Sequence, residues 1–453
     1  MAVKDDSWTV TTLKECARWY SGGTPNTSVA EYWNGDIPWI TASSLHDFYI
    51  KNSERRVTPL GIAHGTRLIP KDTILFIVRG MSLKTEFRVG ITRRPMAFGQ
   101  DCKALVAKDG VDPLFLANVL RAKSEEILGF VDEASHGTGR LATDALEKLE
   151  ILFPPLDEQK AIAHILGTLD DKIELNQQMN QTLEAIARAL FKSWFIDFDP
   201  VRAKLDGRQP IGMDAETAAL FPAEFEDSAL GKIPKGWEIK PFGELLDLTI
   251  GGDWGKETPD EKHTQLIAII RGTDIASIKA GIFSKIPHRY TTSQKIKNRA
   301  LSDGDIIIEV SGGSPDQPTG RSCYITNSIL EKLDSVVVPA SFCRLFRPKN
   351  SLLGIILKLH LEVLYEQGGT WVYQNQSTGI SNFQTQYFLA NELVLIPTPP
   401  IQKLFFNTIR PIVNKQASDE NFVLSQIRDA LLPKLLSGEI RVQDAETVVE
   451  AVT

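Results

Sequence analysis

The chain repeats itself. Trp8 recurs as Trp237, a glycine pair follows each at the same distance (Gly22-Gly23 and Gly251-Gly252), and each half closes on a double proline, Pro154-Pro155 and Pro399-Pro400, ahead of a helical pattern. A duplication on this scale exceeds the roughly 20–50-residue periods of solenoid repeats. It implies two related globular units, each followed by a long helix, that present the same kind of surface twice. Such a molecule suits a ligand with two separated, similar parts.

With 453 residues and 42% apolar content, the chain has material for packed cores and, by the usual size prior, about three domain-sized pieces. Cys16, Cys102, Cys323 and Cys343 form no CxxC pair and no Cys/His cluster, which speaks against zinc and against a disulfide framework. A reducing, cytoplasmic setting is expected. The start, MAVKDDSWTV, has no apolar run of signal-peptide length, and no apolar stretch approaches a membrane span.

The net charge of -7 is opposite to the overall basic footprint of a free-standing nucleic-acid binder, but the basic residues cluster. Arg79, Lys84, Arg88, Arg93, Arg94, Lys103 and Lys108 face only Glu86 and Asp101. In the second half Arg271, Lys279, Lys285, Arg289, Lys295, Lys297 and Arg299 face only Asp274. A solvated surface is the alternative for any one such cluster. Its recurrence in both halves favours phosphate contact.

Ile74-Leu75-Phe76-Ile77-Val78 has the length of a buried strand and stops at Arg79-Gly80; Ile306-Ile307-Ile308-Glu309-Val310 runs into Ser311-Gly312-Gly313-Ser314. Glycine at each stop permits a turn or a close approach. The loops that follow carry Lys84 and Arg88 in one half, Gln317 and Arg321 in the other.

After the first unit, Ile162, Leu166, Leu169, Ile173, Asn176, Asn180, Leu183, Ala187, Leu190 and Trp194 alternate steps of four and three, a heptad seam. The asparagines cost stability and fix register, because an unmatched buried amide is expensive. From Asp157 to Ser193 the rod is roughly 55 Å long. A second stripe, Phe405, Ile409, Ile412, Val423, Ile427 and Leu431, is interrupted by Gln416 and Asp419. The two helices are natural mates, expected to pair antiparallel about a pseudo-two-fold axis. Pro433 is expected to kink or end the second helix, and Ser437-Gly438 to stop it. Scattered prolines and glycines between Asp197 and Gly231 read as a linker. The expected division is therefore 1–155 for the first unit, 156–199 for its helix, 200–230 for the linker, 231–400 for the second unit, 401–440 for its helix and 441–453 for a loose tail.

Catalytic signatures are few. There is no HExxH, GxSxG or GxxxxGK[ST], and Gly320-Arg321-Ser322 has Pro315 where a phosphate loop needs its first glycine. Asp199-Pro200-Val201 and Phe153-Pro154-Pro155-Leu156 both fail the tetrad of a DNA methyltransferase. Glu238 and Lys240 beside Trp237 could suggest a nuclease, but the first half has Thr9 and Thr11 in their places.

Several strings together resemble the specificity subunit of type I restriction-modification systems. They are Gly137-Thr138-Gly139 ahead of Phe153-Pro154-Pro155-Leu156-Asp157-Glu158-Gln159-Lys160, then Leu190-Phe191-Lys192-Ser193-Trp194-Phe195-Ile196-Asp197-Phe198, and Leu230-Gly231-Lys232-Ile233-Pro234-Lys235-Gly236-Trp237. Ser377-Thr378-Gly379-Ile380 and Pro399-Pro400-Ile401-Gln402-Lys403 echo them, without the Asp157-Glu158 pair. The resemblance implies an α+β chain: two mixed α/β target-recognition domains separated by two long helices in an antiparallel coiled coil. It further implies a non-catalytic reader of double-stranded DNA, each unit binding half of a bipartite site. Two methyltransferase subunits would dock on the helices, and restriction subunits would join them. S-adenosylmethionine, ATP and Mg2+ would belong to those partners, with none in this chain. Base edges are read by Arg, Lys, Asn and Gln side chains on loops. The candidates are Arg79, Lys84, Arg88, Arg93 and Arg94 in the first unit, and Arg271, Thr273, Ser311, Ser314, Gln317 and Arg321 in the second. An adaptor that binds no DNA is the rival class; acidic overall charge favours it and the repeated basic loops oppose it.

Overall fold

In the computed structural model the described residues are 7–133, 138–279, 281–283, 286–313, 317–377, 380–417 and 420–452. Ser314, Thr378, Gly379 and Asp419 lie outside them. The chain forms two compact units, Met1–Ile173 with Leu424–Thr453, and Glu174–Val423.

The first unit opens with strand Thr9–Thr12, which pairs antiparallel with Glu150–Phe153. Its main sheet runs Ala17–Ser21, Cys102–Ala107, Ile74–Ile77, Val89–Thr92, Tyr49–Ile50 in spatial order. Ile74–Ile77, the strand expected from its apolar run, is buried along its length. A second sheet contains a parallel pair, Trp33–Ile40 with Met96–Phe98. A three-stranded sheet follows from Val131–Glu133, Gly139–Leu141 and Arg79–Gly80. Helix Pro113–Ala122 starts on Asp112, whose carboxylate accepts from the Phe115 N–H, with Pro113 at the first helical position where its missing donor costs nothing.

The second unit repeats this plan. Glu238–Pro241 pairs antiparallel with Leu393–Ile396. The main sheet runs Leu246–Gly251, Cys343–Pro348, Ile306–Glu309, Ser322–Tyr324. Gln265–Ile270 and Val336–Pro339 form the parallel pair, and Gln374–Ser377, Ile380–Phe383 and Ser311–Gly312 form the small sheet. Helix Ser351–Glu366 begins on Asn350, which accepts from the Leu353 N–H. The glycine pairs have a physical reason as well: a Cβ on Gly22 would stand 2.2 Å from the Gly99 carbonyl oxygen, and one on Gly252 2.1 Å from that of Ala340. Strand end meets strand end too closely for any side chain.

Helix Leu156–Phe191 spans 36 residues. In the first unit its Ile162, Leu166, Leu169 and Ile173 are buried in one core with Leu424, Leu431 and Leu435 of helix Glu420–Ser437, and Asp170 binds both Arg121 and Arg428. Ile427 packs against the same core. In the second unit, Gln416 donates to the Asn180 carbonyl at 3.0 Å, and Phe191, Trp194 and Phe195 pack on Phe405. As the first helix ascends, its partner Pro399–Gln416 descends, so these segments are antiparallel. Ile409 and Asn176 are buried; Leu190 and Ile412 pack at the margin of the core, and Leu183 is half-buried.

Four expectations change. Val423 is 39% exposed, and its neighbour Leu424 takes the core position. The reason is that the second helix is two helices: the first ends at Gln416 and the next starts at Glu420, which resets the heptad phase. Pro433 lies inside Glu420–Ser437 without ending it; the stop comes at Gly438, whose φ of 71° suits glycine. Residues 200–230 are folded: helices Asp199–Leu205 and Ala215–Ala219 and strand Phe225–Ser228 bury Val201 and Phe221, and Lys204 Nζ holds the Ala218 and Phe221 carbonyls. The proline and glycine punctuation there marks caps and turns. Finally, Val442–Glu450 is a helix that buries Ala445 and Val449 in the first unit's core.

Candidate nucleic-acid interface

In each unit the central strand of the main sheet crosses into the small sheet through one valine. The Val78 carbonyl accepts from the Leu141 N–H at 2.9 Å, and the Val310 carbonyl from the Phe383 N–H at 2.8 Å. The Asp101 carbonyl receives the Val78 and Arg79 N–H groups, just as that of Phe342 receives those of Val310 and Ser311. These bonds align the two units residue by residue: Arg79 with Ser311, Arg140 with Asn382.

Strand register then decides which side chains share a face, since residues opposite each other on antiparallel strands point the same way. In the first unit Arg79 lies opposite Arg140, and Arg140 opposite Asp132. All three are exposed, while Gly139 and Leu141 on the alternate positions are buried. In the second unit Ser311 lies opposite Asn382, and Asn382 opposite Asn375. Both asparagines are exposed, with Ser381 and Phe383 turned inward. Ser311 Oγ lies 2.8 Å from Asn382 Oδ1 and donates to it, which leaves the Asn382 amino group to donate outward.

The charges of the first row are not internally settled. Like charges opposite each other across a sheet are destabilising. Among the described residues Arg79, Arg140 and Asp132 have no hydrogen-bonding or ion-pairing side-chain partner. Met81 beside Arg79 and Phe342 beside Ser311 are exposed, 64% and 65%. Both surfaces thus combine unspent hydrogen-bonding capacity with an apolar neighbour, which is the chemistry for meeting base edges.

The other sequence candidates differ in exposure and in the partners that surround them. Lys84 and Arg94 are exposed, Lys84 at the end of the short helix Met81–Lys84. Thr273 and Gln317 are exposed in the second unit. Arg88 is held between Glu86 Oε2 at 2.9 Å and His46 Nδ1 at 3.1 Å. Arg93 lies 3.9 Å above the Tyr49 ring and 3.6 Å from Asp171. Arg271 grips Asp274 with two nitrogens, at 2.9 and 2.7 Å. Arg321 grips the buried Glu309 at 2.8 and 2.6 Å, and this bond holds its guanidinium in the charged form more firmly than usual. Arg93, Arg271 and Arg321 spend donors on contacts inside the protein. Sequence reasoning missed Arg140, Asp132, Asn375 and Asn382. They share faces with Arg79 and Ser311 through strand pairing over separations that no local pattern spans.

The four cysteines are buried, and burial pushes the thiols of Cys102 and Cys343 up to about 12. Among the described residues no three His, Cys, Asp or Glu side chains converge to hold a metal ion, and no helix is long and apolar enough to cross a membrane.

Comparison with known proteins gives a consistent picture. Residues 5–185 match the family described as Type I restriction modification DNA specificity domain. The chain is 28% identical over 451 residues to the type I restriction enzyme MjaIX specificity subunit of Methanocaldococcus jannaschii, covering 96% of this chain and 94% of that one. It is 28% identical over 380 residues to the HindI specificity subunit of Haemophilus influenzae, covering 72% and 77%. Its fold is similar to the crystal structure of a type I restriction-modification S subunit from M. genitalium, with a TM-score of 0.53 at 16% identity over 96% of this chain and 98% of that one.

Proposed function

We propose that the chain is a specificity subunit of a type I restriction-modification system, a reading supported by the family match over residues 5–185 and by the 28% identity to two such subunits. It is a sequence-specific DNA-binding subunit in which each unit reads one half of a split duplex site. Two methyltransferase subunits dock on the helices, and restriction subunits join that assembly. The chain itself performs no chemistry; S-adenosylmethionine, ATP and Mg2+ are held by its partners, and the complex works in the cytoplasm. The observation that carries this reading is the duplicated small sheet, which presents an exposed hydrogen-bonding row at the same place in both units.

Fluorescence-anisotropy titration against duplex DNA at several salt concentrations tests it, with the chain alone and with co-expressed methyltransferase subunits. Phosphate contact predicts affinity that falls steeply with salt. Binding without salt dependence, or none in either setting, supports an adaptor instead. DNA cut by the chain alone supports a nuclease.

A further inference from the structure

A cavity of about 370 Å³ lies wholly within the second unit. Helices Leu156–Phe191, Ile275–Lys279, Ser351–Glu366 and Pro399–Gln416 all contribute to its wall. That volume is in the range of small-molecule sites, which are mostly apolar with a few convergent polar groups. Part of this wall is apolar, with Ile278, Ile329 and Val413, and part is carboxamide, with Gln177, Asn180 and Gln416.

The charge lies deeper. Lys358 and Glu362, one turn apart on the same helix, are buried and bonded at 2.7 Å, and Lys279 reaches Glu362 at 2.9 Å. Two ammonium groups thus share one buried carboxylate. A second carboxylate, that of Glu184, stands 3.8 Å from Lys279, beyond hydrogen-bonding distance. An ammonium carries three donors, and buried donors need partners. The Lys358 side chain is only 9% exposed, yet among the described residues its one acceptor is Glu362 Oε2. Its other two N–H groups have no protein acceptor, and the residue lines the cavity.

The first unit balances a comparable cluster internally. There Asp170 lies between Arg121 at 2.9 Å and Arg428 at 2.8 Å, and Arg428 also binds Asp429 at 2.8 Å. Two cations meet two carboxylates at bonding distance. The second unit lacks the second bonded acceptor.

We propose that this cavity is a binding site for a small organic oxyanion, a carboxylate or a phosphate monoester on a compact apolar body. The anionic oxygens accept from Lys358 and Lys279 in charge-assisted bonds, which are the strong ones. The body lies on Ile278, Ile329 and Val413, and the carboxamides meet its polar substituents. A bound anion links helix Ile275–Lys279 to helix Ser351–Glu366 through the two lysines, so it stabilises the second unit. The site shares no residue with the small-sheet rows and does not depend on DNA reading.

Calorimetric titration of the full chain with benzoate and phenyl phosphate tests this. Benzamide keeps the ring without the charge, and inorganic phosphate keeps the charge without the ring. One or both of the complete probes should bind one to one, about ten-fold or more tighter than either fragment, and raise the unfolding midpoint. The tighter of the two identifies which oxyanion the site takes. Lys358→Met leaves Lys279 paired with Glu362 and should weaken binding about ten-fold or more. Ala276→Trp places a bulky ring in the cavity from an exposed position and should abolish binding; it decides alone if Lys358→Met does not fold. The proposal is overturned if neither complete probe binds, if a fragment binds as tightly, or if either folded variant binds like the wild type. The cavity is then a hydrated gap whose waters satisfy Lys358.

Discussion

Arg321→Ala separates a structural arginine from a reading one. The guanidinium makes two charge-assisted bonds to Glu309, which is 3% exposed. Removing it leaves a carboxylate in the second unit's core with no compensating charge, a change that costs about 3–5 kcal/mol. For a unit of this size roughly 2–4 °C of melting temperature corresponds to each kcal/mol, so the second unit should melt about 6–20 °C lower. The double variant Arg321→Met, Glu309→Gln removes both charges and should recover most of that loss, since a neutral, well-packed pair carries no uncompensated ion. Calorimetry follows the transitions, and anisotropy below the lowered transition follows DNA binding, which should stay within about two-fold of wild type. The reasoning is refuted if Arg321→Ala melts like the wild type yet binds DNA many-fold more weakly. That result would make Arg321 a contact residue and its bond to Glu309 incidental.

Three further outcomes follow from particular contacts. Gly252→Ala should destabilise the second unit by roughly 1–3 kcal/mol because its Cβ meets two backbone carbonyls. Gly251→Ala, with nothing within 4 Å of its Cβ, should have little effect, as denaturant midpoints would report. Glu362 is buried, and despite that burial the charges of Lys358 and Lys279 hold its carboxyl at about 2 against the usual 4.5. Its folded value lies below its unfolded one, so its contribution is present above pH 4.5 and lost as pH falls towards 2. Glu362→Gln should flatten that part of the acid-unfolding curve. Val423→Asp should change stability by no more than about 0.5 kcal/mol, while Leu424→Asp should cost several, because only Leu424 is in the core. Equal effects would restore the uninterrupted heptad seam.

Much of the architecture was legible because it rests on local patterns. The buried strand Ile74–Ile77 and the seam from Ile162 to Ile173 follow directly from apolar period, and Gly22 and Gly252 of the repeated pairs from backbone space. What could not be read depends on partners brought from elsewhere. Arg321 is a reader or a strut according to whether Glu309, on the adjoining strand, reaches it; the answer is in the register. Arg93 depends likewise on Tyr49 and Asp171. Arg271 was more accessible, since its partner Asp274 is three residues away and on the same short turn. Val423 fell out of the stripe because a helix break changes phase without changing the apolar spacing that sequence displays. The rows themselves arise from pairing Arg79 with Arg140 and Ser311 with Asn382, over separations no local pattern spans.

Mapping modified bases in the DNA of cells that carry this chain with its methyltransferase subunits tests the central claim most directly. A chain with two alike readers predicts that every modification dependent on it falls within one motif of two short defined runs separated by a gap of constant length. A contiguous motif, a gap of variable length, or a modification pattern unchanged by deleting the chain would contradict it.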